Sequence, residues 1–107
     1  MIYVAAPYTH TDPTVVRQRI LTFAKVMSNL IAAGEHPVSP LMNHFLVDYV
    51  ETDFPLTWEY WQEYSYSLLS VSKELHVITM DGWEESTGVA AEIEMANQLN
   101  LPIRYIK

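Results

Sequence analysis

The stretch Leu75-His-Val-Ile-Thr-Met80-Asp81-Gly-Trp-Glu-Glu-Ser86-Thr-Gly-Val-Ala-Ala-Glu92-Ile-Glu-Met-Ala96 decides the fold. A short apolar run is followed by a turn-forming Asp81-Gly82 pair and then by a helical pattern that opens at Ser86. A strand running through a turn into a helix is the repeating unit of a parallel α/β sheet. The helix also carries an anomaly. Because each residue advances about 100°, Val89, Glu92, Ile93, Ala96 and Leu99 share one side, while Glu94 falls opposite with Ala90 and Gln98. Glu94 is where a solubilising carboxylate belongs, and Glu92 is not. A carboxylate on a core-facing stripe costs several kcal/mol unless it is paired, hydrogen-bonded or opens into a cleft, where perturbed carboxylates do chemistry. Snorkelling to water or capping a nearby backbone group remains an open alternative.

The rest of the chain repeats the strand and helix alternation. Ile2 to Ala5 reads as a strand, and Ala6-Pro-Tyr-Thr-His10 as a turn. Asp12 and Pro13 supply the cap and first residue of a helix to Ala33, with Val16, Ile20, Phe23, Ala24, Met27, Leu30 and Ile31 at helical spacing and Gly34 closing it. His36 to Ser39 reads as a short strand, and Pro40 to Pro55 as a loop with one helical turn around Asn43 to Tyr49. A loop this long in a small domain points to a functional segment or a lid. Leu56 to about Ser72 is a helix with Trp58, Trp61, Ser65, Leu68 and Leu69 on one face. Leu75 to Met80 is a buried strand, Thr87 to Leu99 a helix and Pro102 to Ile106 the last strand. The pattern predicts a small flavodoxin- or Rossmann-like three-layer α/β domain, its four-stranded, mostly parallel sheet in the order 2-1-3-4 with helices on both faces. Such sheets bind ligands beyond the carboxyl ends of the strands where the winding reverses, here between the first and third strands. The loops leaving those strands carry Pro7, Tyr8 and His10 on one side and Asp81, Trp83 and Ser86 on the other. Tyr8, Asp81, Ser86 and Glu92 are expected to converge there.

Composition narrows the function classes. A chain of 107 residues, half of them hydrophobic, makes one domain over 1–107 with a core large enough to fold without staples. The absence of cysteine removes disulfides, thiolate nucleophiles and thiolate metal sites. No signal-peptide pattern or membrane-length apolar run is present, so a cytoplasmic protein without membrane association is the expectation. A net charge of −7 with only six Lys and Arg argues against a nucleic acid polymer as partner. A single nucleotide stays possible, because backbone N–H groups at a helix start can hold one phosphate. His10, His36 and His44 have no metal-motif spacing, so no metal and no cofactor is expected.

Met1-Ile-Tyr-Val-Ala-Ala-Pro-Tyr8, together with Gly82-Trp83 and Ser86-x-Gly88-Val-x-x-Glu92-x-x-x-Ala96, resembles the nucleoside 2-deoxyribosyltransferase-like proteins, which include nucleotide N-glycosidases. The likeness is closest to a small, functionally uncharacterised branch and extends to Ser39-Pro40 and the Trp58, Trp61 pair. The resemblance implies that Glu92 is a nucleophile attacking C1′ of a nucleoside or nucleoside 5′-monophosphate, forming a glycosyl-enzyme ester resolved by water or by another base. It also implies that Tyr8 hydrogen-bonds and orients that nucleophile, that Asp81 binds sugar hydroxyls or protonates the leaving base, and that the protein is a homo-oligomer. Ser86 and the N–H groups of Thr87, Gly88 and Val89 would receive the 5′ group, Gly88 would leave room for the sugar, and Trp83 and His10 would add contacts. Each residue has a plainer reading: packing for Tyr8, turn formation for Asp81, cover of the core edge rather than stacking on a base for Trp83, and core or dimer interface rather than base stacking for Trp58 and Trp61. Where many relatives have an Asp at the start of the third strand, this chain reads Ser72-Lys73-Glu74-Leu75. That departure keeps two other functions in view, a non-catalytic nucleotide-binding or sensing module and an NAD-type glycohydrolase.

Overall fold

The computed structural model describes residues 1–50, 53–55 and 57–107. The expected helix start at Leu56 and residues 51–52 of the long loop lie outside these. Four strands, β1 (Ile2–Ala5), β2 (Pro37–Val38), β3 (Glu74–Ile78) and β4 (Ile103–Ile106), form one sheet in the order β2-β1-β3-β4, and every pairing is parallel. Tyr3 lies opposite Val38 on one side and Leu75 on the other. The helices are α1 (Pro13–Ala32), α2 (His44–Tyr49), α3 (Trp58–Ser70) and α4 (Thr87–Gln98), with a single 3-10 turn at Pro40–Asn43 before α2.

Each end of α1 has a chemical cause. The Asp12 carboxylate accepts the Thr14 N–H at 2.9 Å, and Pro13 supplies a preset φ where no intrahelical donor is needed. At the other end Glu35 N–H returns to Leu30 O at 2.9 Å and Gly34 N–H to Ile31 O at 3.0 Å, with Gly34 at φ +86°. Helix α4 stops in the same way around Asn100 at φ +59°, where Leu101 N–H reaches Ala96 O at 2.9 Å.

Alternate residues of the central strands divide the core. Ile2, Val4 and Ile78 face α1 and pack with Phe23 and Met27. On the opposite face Tyr3, Ala5, Leu75 and Val77 pack with Leu69 of α3 and with Val89 and Ala96 of α4. Helices therefore cover both faces of the sheet. Each of these larger aliphatic side chains contributes about 1.5–3 kcal/mol by leaving water. Ile31, assigned to the inner stripe of α1, is instead 61 % exposed. Phe23, Val26, Met27 and Leu30 form the inner stripe of the helix, and Ile31 falls beyond its edge. Among the described residues, no helix is long and apolar enough to cross a membrane.

Candidate functional site

A cleft of about 870 Å³ opens beyond the carboxyl ends of β1 and β3, at the reversal of winding. Ala6, Tyr8, Thr9 and His10 line it from the loop after β1, and Ser39, Pro40, Leu41, Asn43 and His44 from the segment after β2. Trp58, Glu59, Trp61 and Ser65 face it from α3. Gly82, Glu85, Ser86, Thr87, Gly88 and Glu92 complete it from the loop after β3 and from α4.

Glu92 lies on this cleft and is only 7 % exposed. Burial drives its carboxyl up from 4.5 to about 8, against the lowering effect of a hydrogen bond from Tyr3. The Tyr3 hydroxyl donates to Glu92 Oε2, and Tyr3 itself is wholly buried in β1. Its phenol is held well above its ordinary value, first by burial and then by the neighbouring carboxylate. Tyr3 therefore occupies the orienting position assigned to Tyr8. Tyr8 turns elsewhere: its hydroxyl shares a 2.7 Å hydrogen bond with His44 Nδ1, and the two rings meet edge-on. The difference arises because Tyr3 sits on a strand face that packs directly under α4, whereas Tyr8 lies beyond the strand end.

Three more expected site residues are displaced. Asp81 is exposed and its side chain does not line the cleft; its carbonyl accepts from Arg19 Nη2 at 3.4 Å. Trp83 packs against the core cluster and tilts onto Tyr105, with ring centroids 5.6 Å apart, covering the core edge. Val89 points into the core, and its N–H is spent on Ser86 Oγ at 3.2 Å. The predicted convergence thus holds for Tyr8, Ser86 and Glu92, joined by His10 and Gly88, and fails for Asp81. The N–H groups of Thr87 and Gly88 open α4 without intrahelical partners. A Cβ at Gly88 would meet Trp58 Cε3 at 3.6 Å, an ordinary contact, so the protein itself does not require glycine there. Lys73 lies away from the cleft, paired with Glu35 at 3.1 Å.

Several cleft residues were not singled out from the sequence. Ser65 is 1 % exposed, and its hydroxyl lies beside the Tyr3 phenol, out of hydrogen-bonding geometry and without a partner among the described residues. Its signal was present: like Glu92, it is a polar residue on an apolar helix face. Arg19 spans two loops, donating to Thr9 O at 2.9 Å as well as to Asp81 O. Gly82 makes room for it, since a Cβ there would run into Arg19 Nη2, and its φ of +89° also favours glycine. Trp58 and Trp61, read as core or interface with base stacking as the alternative, are partly buried on the cleft wall. Trp61 donates to Pro55 O at 3.0 Å and stands among Phe54, Tyr60 and Tyr64. Among the described residues no cluster of His, Asp and Glu is arranged to hold a metal ion.

A family model described as a domain of unknown function, DUF1937, matches residues 1–106. The chain belongs to the DUF1937 family. No curated protein matches it. For this DUF1937 chain the match covers the sheet, the cleft and every residue named above.

Proposed function

We propose that the protein cleaves or transfers the N-glycosidic bond of a small nucleoside or nucleoside 5′-monophosphate, with Glu92 as nucleophile. The observation that carries this reading is a buried carboxyl that lines a cleft of about 870 Å³ and is held by a buried tyrosine. The resemblance to nucleoside 2-deoxyribosyltransferase-like proteins supports it, with Tyr3 in the role first given to Tyr8. In the first step a Glu92 oxygen bonds to C1′ while the C1′–N bond breaks, and its electron pair leaves with the base, which takes up a proton. Tyr8 and His44 are the hydroxyl and imidazole pair on the cleft that can hand over that proton. Water then attacks C1′ of the ester, restoring Glu92 and releasing the free sugar; a second base in place of water gives transfer. Oligomerisation through identical subunits belongs to the same proposal.

A second reading is a binding or sensing module without turnover. It is favoured by the raised Glu92 carboxyl, which at about 8 is mostly protonated at neutral pH and is then a hydrogen-bond donor rather than a nucleophile. Incubation of the protein with a panel of nucleosides, 5′-monophosphates and NAD separates the readings. The enzyme reading expects free base from at least one member, and at least a thousandfold loss in Glu92→Gln with folding retained, as for removal of an essential group. Full activity in Glu92→Gln would dismiss the nucleophile, while binding without product would favour the sensor.

A further inference from the structure

The sheet has two edges, and the chain treats them differently. In a strand successive peptide groups point to opposite sides, so one hydrogen bond of known direction assigns its neighbours. At the β2 edge, Ile2 N–H donates to His36 O at 3.0 Å, which turns the Pro37 peptide outward. Proline has no N–H to offer there, β2 is only two residues long, and Pro40 follows it closely. At the β4 edge, Leu75 N–H donates to Pro102 O at 2.9 Å and Thr79 N–H to Ile106 O at 2.7 Å. The peptide groups of Ile103 and Tyr105 therefore point away from β3, and among the described residues β4 pairs with no other strand.

The side chains of β4 choose what can occupy this open edge. Arg104 and Ile106 lie on the α1 face with their register partners His76 and Ile78, whereas Ile103 and Tyr105 lie on the face of α3 and α4. Tyr105 is 55 % exposed, with its ring against the half-buried Trp83. A large aromatic left in water beside outward-pointing backbone groups has the composition of an interface and not of a guarded edge. A second β4 running antiparallel about a two-fold axis through Tyr105 sets that tyrosine against its own copy, where the two residues exchange both backbone hydrogen bonds and the rings extend the aromatic row begun by Trp83. In the same register Arg104 faces Ile106 of the partner subunit. Moving the axis to Arg104 would set like charges directly opposite, and pairing β4 with β2 of another copy would meet Pro37 and repeat without closing.

We propose that two copies of this chain join through β4, antiparallel about Tyr105, into one continuous sheet. The inference rests on the sheet edge and not on the glycosidic reading, and it gives the association of identical subunits its surface.

Sedimentation equilibrium across a range of concentrations is expected to show a species of twice 12.3 kDa for the wild type. Tyr105→Glu sets two carboxylates opposite each other and is expected to raise the dissociation constant at least about tenfold. Leu21→Glu adds the same charge at an exposed position of α1 and is expected to leave it unchanged, with circular dichroism confirming the fold of each variant. Because the chain has no cysteine, the register can be read by cross-linking. Hydrogen-bonded antiparallel partners lie about 5.5 Å apart at Cα, within disulfide range, so Tyr105→Cys is expected to form a covalent dimer under diamide and Arg104→Cys is not. A monomer at every concentration, a dimer that Tyr105→Glu weakens no more than Leu21→Glu does, or cross-linking of Tyr105→Cys that is absent or no better than that of Arg104→Cys overturns the inference. None of these outcomes bears on base release, so the glycosidic reading stands or falls by its own test.

Discussion

Burying Glu92 makes the folded protein store free energy in one carboxyl. Its folded value is about 8 against 4.5 for an ordinary glutamate, so between those values the folded chain holds a proton that the unfolded chain has released. Stability must then fall as pH rises from about 4.5 to 8, by up to a few kcal/mol from this group alone. Glu92→Gln cannot titrate and should lack this component. Urea midpoints across that range should therefore converge at low pH and separate in favour of the variant at high pH; parallel curves would show that Glu92 is not perturbed. Glu92 was legible from the helical period, because one polar residue among Val89, Ile93 and Ala96 stands out. Tyr3 was not. All four residues of β1 are buried, so no alternation marks which of them reaches a helix on the far face.

At the scale of elements, Arg19 of α1 ties the loop after β1 to the loop after β3, and Gly82 is shaped around it. Gly34 provides a control: it too has positive φ, at +86°, yet a Cβ there meets open space. Both alanine variants should lose about 1–2 kcal/mol for the left-handed backbone, measured by urea unfolding. Gly82→Ala should also displace the guanidinium and weaken nucleoside binding, whereas Gly34→Ala should bind normally. Equal binding by both would remove the clamp from the account. The loop itself shows why Asp81 and Trp83 misled. Periodicity fixes side-chain direction along a helix or strand, but in a turn each φ and ψ is set locally, and here the turn uses Asp81's carbonyl and sends Trp83 onto Tyr105.

The architecture of the whole molecule followed from alternation alone: helical stripes between short apolar runs imply parallel crossovers, and the strand order put the cleft where the winding reverses. What the pattern could not carry is the packing between distant segments, which brings Tyr3 of β1 to Glu92 of α4 and Ser65 of α3 beside Tyr3. These three meet only once α3 and α4 have packed on the same face of the sheet. The central claim is that Glu92 becomes covalently bonded to a sugar. Acid quenching during turnover of a reactive deoxynucleoside, followed by digestion and mass spectrometry, measures this directly. The account predicts a peptide containing Glu92 that is heavier by one sugar residue and is absent in Glu92→Gln; base release with an unmodified Glu92 peptide, undiminished in that variant, would contradict it.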